Sequence, residues 1–171
     1  VRALSIIEKT HGSEGLAVGL ELDKLGNVYL AQGDIARART AYMRARPILL
    51  EKLQNNSAYG LFLTHLGKLR LLTGQTEEAK GTVDQALTAC GKELFKADHN
   101  WTEGNRMLGL LFLGLGKYRE AEEQLIYALT VRSEALDFEN RDAALLYMAS
   151  ASNSLGEFYV TVGLDDKAEP L

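Results

Sequence analysis

The chain has 171 residues, a formal net charge of −4, 46% hydrophobic and 25% charged residues, the composition of a folded globular protein that buries about 70% of its unfolded surface without needing disulfides or metals. A single cysteine, Cys90, and three scattered histidines exclude an internal disulfide and a cysteine-rich zinc site, and slight acidity without a Lys/Arg run argues against nonspecific nucleic-acid binding. No apolar run approaches the about 20 residues that cross a bilayer, and the opening VRALSIIEKTHG lacks the apolar core of a secretion signal, so the expectation is a soluble, cytoplasmic chain with no cofactor and no membrane or nucleic-acid partner.

In chain order, apolar periodicity predicts a first helix over residues 1–9, read as the second half of a truncated unit. A helix over 16–32 follows, with Gly26 inside it and Gly33 at its end. Its partner over 35–53 carries Ile35, Ala38, Tyr42, Ala45 and Leu49 at helical spacing. After a short polar link at 54–56 comes a second pair, 57–73 with 76–95. A third pair, 100–115 with 118–136, follows the link at 96–99 and repeats the pattern through Tyr118, Ala121, Leu125 and Ala128. A last helix over 141–162 is followed by a new start at Asp165 that the end of the sequence cuts off. No strand pattern and no second domain are visible.

These elements share one register. Gly26, Gly67, Gly109 and Gly156 form a column with spacings of 41, 42 and 47, and Gly33, Gly74, Gly116 and Gly163 form a second column seven residues later. Ala38, Ala79, Ala121 and Ala168, then Ala45, Ala86 and Ala128, complete a G-x6-G-x4-A-x6-A repeat. The second glycine reads as a helix stop. The first lies inside a helix, where Gly costs about 1 kcal/mol relative to Ala, so close approach of a neighbouring helix is expected to offset it. The five extra residues in the last spacing must lengthen either the third unit's second helix or the last unit's first helix, with a local change of curvature.

The register, with GNVYLAQGDIARARTAYMRA, GLGKYREAEEQLIYAL and VGLDDKAEPL, resembles the tetratricopeptide repeat, whose helix pair places small residues at its eighth, twentieth and twenty-seventh positions and Gly at its fifteenth. A period near 42 rather than about 34 is similar to the kinesin light chain type. The resemblance implies an all-α fold, a right-handed helical-hairpin repeat solenoid of about seven helices plus truncated ends. It divides the chain into 1–15, 16–56, 57–99, 100–139 and 140–171, a single array. The pattern departs at the fourth position, where Asn105 and Ser152 replace leucine, and at the eleventh, where Arg70 stands in place of Tyr29, Phe112 and Tyr159.

No grouping rises to catalysis. Cys90 aligns with the apolar stripe and reads as a buried thiol rather than a nucleophile paired with His99. The stretch GLLFLGLGK lacks phosphate-loop spacing. Asn55 and Asn100 head sequons that read as link residues, and Trp101 reads as an inter-repeat plug. Glu77, Glu78, Glu122 and Glu123 read as solvated helix faces near helix N-termini.

In the family the concave face is lined by the second, fifth, sixth, ninth and twelfth positions of each first helix. Here that implies Leu20, Asp23, Lys24, Asn27 and Leu30, then Leu61, Thr64, His65, Lys68 and Leu71. The third unit supplies Glu103, Arg106, Met107, Leu110 and Leu113, and the fourth Ser150, Asn153, Ser154, Glu157 and Val160. The carboxylate clamp of chaperone-binding relatives is expected to be missing, because Asp23 occupies the place of its lysine. What remains is an amphipathic groove whose candidates are Asp23, Asn27, Thr64, Lys68, Glu103, Arg106, Asn153 and Glu157, with a cationic middle at Lys68 and Arg106 suited to an apolar peptide bearing acidic residues. Two functions are implied: a non-enzymatic protein-interaction module, or a regulatory scaffold within a larger protease or signalling ATPase. Self-association is also expected through an uncovered C-terminal edge formed by Leu155, Phe158 and Tyr159.

Overall fold

The computed structural model of the protein describes residues 2–54, 56–90, 99–134 and 141–170, which form successive helices with no strand among them. These are α1 (Arg2–His11), α2 (Leu16–Ala31), α3 (Ile35–Leu53), α4 (Ser57–Leu72), α5 (Thr76–Cys90), α6 (His99–Gly114), α7 (Tyr118–Glu134), α8 (Arg141–Thr161) and α9 (Asp165–Ala168). Every helix expected from periodicity is present; the predicted ends at 95 and 136 lie outside the described residues.

The second glycine column acts as the helix stop it was read to be. Gly33, Gly74, Gly116 and Gly163 all have φ between 71° and 77°, a left-handed conformation that only glycine adopts without strain. The following N–H then reaches back five residues, from Asp34 to the Tyr29 carbonyl, Gln75 to Arg70, Lys117 to Phe112 and Leu164 to Tyr159, at 2.8–2.9 Å. Asp34 starts the next helix by accepting from the Arg37 N–H at 2.9 Å, and Asn56 caps α4 through the Ala58 N–H at 2.8 Å.

The helices form pairs, α2 with α3, α4 with α5 and α6 with α7. The first helices also touch one another in succession, most closely α4 with α6, whereas α3, α5 and α7 make at most marginal contact with each other among the described residues. The first helices are therefore the inner layer of a curved stack and the second helices the outer layer. Ala38, Ala45, Ala79, Ala86, Ala121 and Ala128 are fully buried at the pair contacts. Tyr42 meets Phe62 edge-on at 6.1 Å between ring centres, and Phe62 stacks on Tyr59 at 6.0 Å, which ties the first pair to the second.

The first glycine column is not uniform. A Cβ at Gly26 would lie 2.3 Å from the Tyr42 ring and one at Gly109 2.6 Å from Leu125 Cγ, so in these pairs glycine admits the large residue of its partner helix. At Gly67 the neighbour is instead Leu111 of α6, at 2.9 Å, whereas the register position of Tyr42 in α5 is held by the smaller Val83. At Gly156 a Cβ would have nothing within 4 Å among the described residues.

The five added residues of the last spacing lie in α8, which has 21 residues against 16 in each of α2, α4 and α6. The expected uncovered edge is covered: Leu155, Phe158 and Tyr159 are 4%, 2% and 6% exposed. The Tyr159 hydroxyl donates to Glu122 of α7 at 2.9 Å, and Lys167 of α9 donates to the same carboxylate at 3.1 Å while lying over the Tyr159 ring. Glu122 is thus a tie across three helices, correcting its reading as a solvated face, and the hydrogen bonds from Lys167 and Tyr159 hold its carboxyl below the ordinary value.

Candidate functional site

The predicted groove residues fall on the inner helices α2, α4, α6 and α8, but they separate into three environments. The first is a closed polar network. His65 Nδ1 lies 2.9 Å from Asp23 Oδ1 and 3.1 Å from Asn27 Nδ2, and Asn27 Oδ1 accepts from the Tyr42 hydroxyl at 2.8 Å. Burial, then the Asp23 charge, pushes that hydroxyl's pKa well above its ordinary value, so it remains a donor. Asp23 and Asn27 therefore tie α2 to α3 and α4, with His65 Nδ1 serving one of the two at a time, since a ring nitrogen either donates to the carboxylate or accepts from the amide.

The second environment lies between α6 and α8. Arg106 makes a two-pronged pair with Glu103, Nε to Oε2 at 2.8 Å and a terminal nitrogen to Oε1 at 2.5 Å, and its other terminal nitrogen donates to Ser154 Oγ at 2.9 Å. The hydrogen bonds that Arg106 donates to Glu103 raise its pKa against the opposing effect of burial. The cationic middle is therefore half neutralised, since Arg106 is a structural strut. Asn153 donates to Glu157 at 3.0 Å within α8, both exposed. Thr64 corrects its reading as a lining residue: it is fully buried, and its hydroxyl donates to the Leu61 carbonyl at 2.7 Å. It stands one turn before Gly67 on the side that α6 approaches, so the close α4/α6 crossing covers it.

The third environment is open. Beside the Gly67/Leu111 contact, α4, α6 and the start of α5 enclose a cavity of about 340 Å³ lined by Lys68, Leu71, Leu72, Thr76, Met107, Leu110, Leu111 and Gly114. Its walls are mainly apolar and Leu72 is 60% exposed. Lys68 is exposed at its rim with no ion-pair partner among the described residues. Gly114 keeps the cavity open, because a Cβ there would stand 3.0 Å from Leu71 Cδ1. Sequence reasoning found Lys68, Leu71, Met107 and Leu110 but missed Leu72, Thr76 and Gly114. The available signal was that Gly114 is a helical glycine outside both glycine columns, aligned with Ala31 and Leu72.

Among the described residues no cluster of His, Cys, Asp and Glu could hold a metal, and no helix is long and apolar enough to cross a membrane. Cys90, His99, Trp101, Asn55 and Asn100 have side chains outside the described residues.

The helix pairs, the left-handed glycine stops and the inner layer of first helices are the geometry against which the comparisons stand. A tetratricopeptide repeat model matches residues 22–45, spanning the α2/α3 pair. The crystal structure of the nearly identical TPR-like repeats of a Podosopora anserina "putative kinesin light chain" superposes with a TM-score of 0.62 at 19% identity, covering 99% of this chain and 78% of that one. A variant of the same protein gives 0.65 at the same identity and coverage. The fold is that of a tetratricopeptide-repeat array of the kinesin light chain type. No curated protein sequence matches the chain. The array departs from a uniform repeat at the α4/α6 contact, and the open cavity lies there.

Proposed function

We propose that the array is a non-catalytic interaction module of the cytoplasm, and that it binds an extended peptide along its inner face, centred between α4 and α6. Tetratricopeptide repeats are generally protein-interaction modules, so the question is which surface acts and on what. The observation that carries the reading is the α4/α6 cavity with Lys68 exposed at its rim and in no ion pair among the described residues. It suits a large apolar side chain with an acidic residue beside it, because the apolar walls favour the first and Lys68 the second. Asp23, Asn27, Glu103 and Arg106 act one step removed, fixing the inner helices on either side of the cavity. Asn153 and Glu157 extend the polar rim on α8.

The test is selection from a displayed random peptide library on the intact chain, with parallel selection on Lys68→Glu and Gly114→Val. Enrichment of peptides pairing a large apolar residue with Asp or Glu, lost on both variants, is the expected outcome. Peptides that bind the variants as well as the parent would overturn the assignment to this cavity.

A further inference from the structure

His65 stands on the inner helix α4 at the sixth position of its unit, where α2 carries Lys24 and α6 carries Met107. Its side chain is 12% exposed. One edge of the ring is turned to α2: Nδ1 lies 2.9 and 3.2 Å from the two carboxylate oxygens of Asp23 and 3.1 Å from Asn27 Nδ2. The Asn27 oxygen already accepts from the Tyr42 hydroxyl, so its amide nitrogen can only donate. Nδ1 therefore has two competing partners, a carboxylate that needs it as a donor and an amide that needs it as an acceptor. The carboxylate is nearer and charged, and a charge-assisted hydrogen bond is about twice as strong as a neutral one, so the proton sits on Nδ1.

The opposite edge of the ring carries Nε2. No group bonds it among the described residues, and the buried side-chain polar atoms left without a partner there are Arg46 Nε and Gln124 Oε1, so Nε2 reaches solvent. The ring directs it away from α2, and α5 packs on the outer side of α4, so that solvent is in the groove. Lys68, at the cavity rim, is one turn further along α4, and side chains three residues apart on a helix are about 5–6 Å from each other at Cβ. One carboxylate spans the two. The titratable and charged groups that the neighbouring helices bring to this part of the groove are Asp23 and exposed Lys24 of α2, Tyr42 of α3 behind Asn27, and the paired Arg106 and Glu103 of α6.

The charge of the ring decides what this edge offers. Neutral, with its proton on Nδ1, His65 presents a lone pair at Nε2 and leaves the Asp23 charge uncompensated, a combination that repels a carboxylate. With a second proton the His65–Asp23 pair is neutral overall and Nε2–H donates. An unperturbed histidine changes charge between about pH 5 and 8. We propose that His65 is the proton-dependent selector of the groove: in its protonated form Nε2–H donates to the acidic residue of the peptide beside Lys68, and binding draws that proton from solvent. Asp23 is the positioning residue that fixes the ring through Nδ1. This role rests on the α4/α6 cavity being the peptide site, and it gives that site a pH range in which it holds its partner.

The test has a part without peptide and a part with it. In the free chain above the pH range in which the ring titrates, ¹H–¹⁵N spectra of the ring nitrogens show which one holds the proton, with His65 assigned by the loss of its signals in His65→Gln. Nδ1 is expected; a neutral His65 with its proton on Nε2 would overturn the proposal before any ligand is added. A selected apolar–acidic peptide, histidine-free and blocked at its N-terminus, is then titrated by fluorescence anisotropy from about pH 5.5 to about 8.5, where its own carboxylates stay ionised. Affinity should be highest at the acid end and fall about tenfold across the range, and calorimetry in two buffers of different ionisation enthalpy should show net proton uptake near neutral pH. His65→Gln should flatten the profile in a chain that a thermal scan shows to be folded, while His11→Gln on α1 keeps the slope. Affinity that is flat with pH in the parent, or a slope that His65→Gln retains, overturns the role of His65 and leaves the cavity as the peptide site. A library that yields no peptide overturns both.

Discussion

Replacing Gly26 and Gly156 by alanine separates packing from periodicity, because the two occupy the same column of the repeat and differ only in what faces them. At Gly26 a Cβ would stand 2.3, 2.6 and 2.7 Å from three atoms of the Tyr42 ring. Ordinary carbon contacts need about 3.5–4.0 Å, so the ring must retreat by more than about 1 Å. It has little freedom to do so, since its hydroxyl is bonded to Asn27 and its edge rests on Phe62. Overpacking of this kind costs about 1–3 kcal/mol, and loss of the Tyr42–Asn27 hydrogen bond adds about 1, against a gain of about 1 from replacing a helical glycine. Gly26→Ala should therefore destabilise by about 1–3 kcal/mol. Gly156→Ala meets nothing within 4 Å and should stabilise by about 0.5–1 kcal/mol through backbone entropy alone. Gly81→Ala, equally open in α5, is the control for that gain. Urea unfolding followed by circular dichroism measures all three, with a fit that allows end units to unfold separately. Shifts of the same sign and size at Gly26 and Gly156 would refute the argument that Tyr42 packs through the first glycine.

Lys68→Glu should weaken an acidic selected peptide by about tenfold at low salt and flatten its salt dependence, with the melting temperature nearly unchanged; fluorescence anisotropy and a thermal scan check both halves. Arg106→Glu should instead destabilise the array by roughly 1–3 kcal/mol, because it breaks the pair with Glu103 and the bond to Ser154, and a thermal scan without ligand is enough to see it. Gly114→Val should fill the α4/α6 cavity and reduce peptide affinity at any salt concentration, in contrast to Lys68→Glu. Glu122 has a lowered carboxyl pKa in the folded state, so its contribution is fully present above the ordinary carboxylate range and is lost as the pH falls through the lower folded value. Glu122→Gln should therefore reduce stability at neutral pH and flatten the acid limb below about pH 4.3, measured as melting temperature against pH.

Much of the fold was legible because glycine and alanine carry unambiguous backbone and packing information at a fixed period. Gly33, Gly74, Gly116 and Gly163 had to be helix stops, and each is one with the same left-handed φ. The excess of five residues had to lengthen a helix, and α8 took it. The inner helices were also legible as such. What a lining residue does there was not, because that depends on the neighbouring helix rather than on its own. Thr64 has the register of a groove residue and is fully buried beside the close α4/α6 contact at Gly67 and Leu111. Arg106 reads as a free cation until Glu103 and Ser154 are seen to hold it. Glu122 reads as solvated until α9 brings Lys167 over it. Gly114 was visible as an unexplained glycine, but only the position of Leu71 shows that its missing side chain makes a cavity.

Amide hydrogen exchange of the intact chain with and without a selected apolar–acidic peptide tests the central claim most directly. The account predicts slowed exchange concentrated in the C-terminal halves of α4 and α6, around Lys68, Leu71 and Leu110, with α3, α5 and α7 unchanged. Protection confined to the outer helices, with α4 and α6 unaffected, would contradict it.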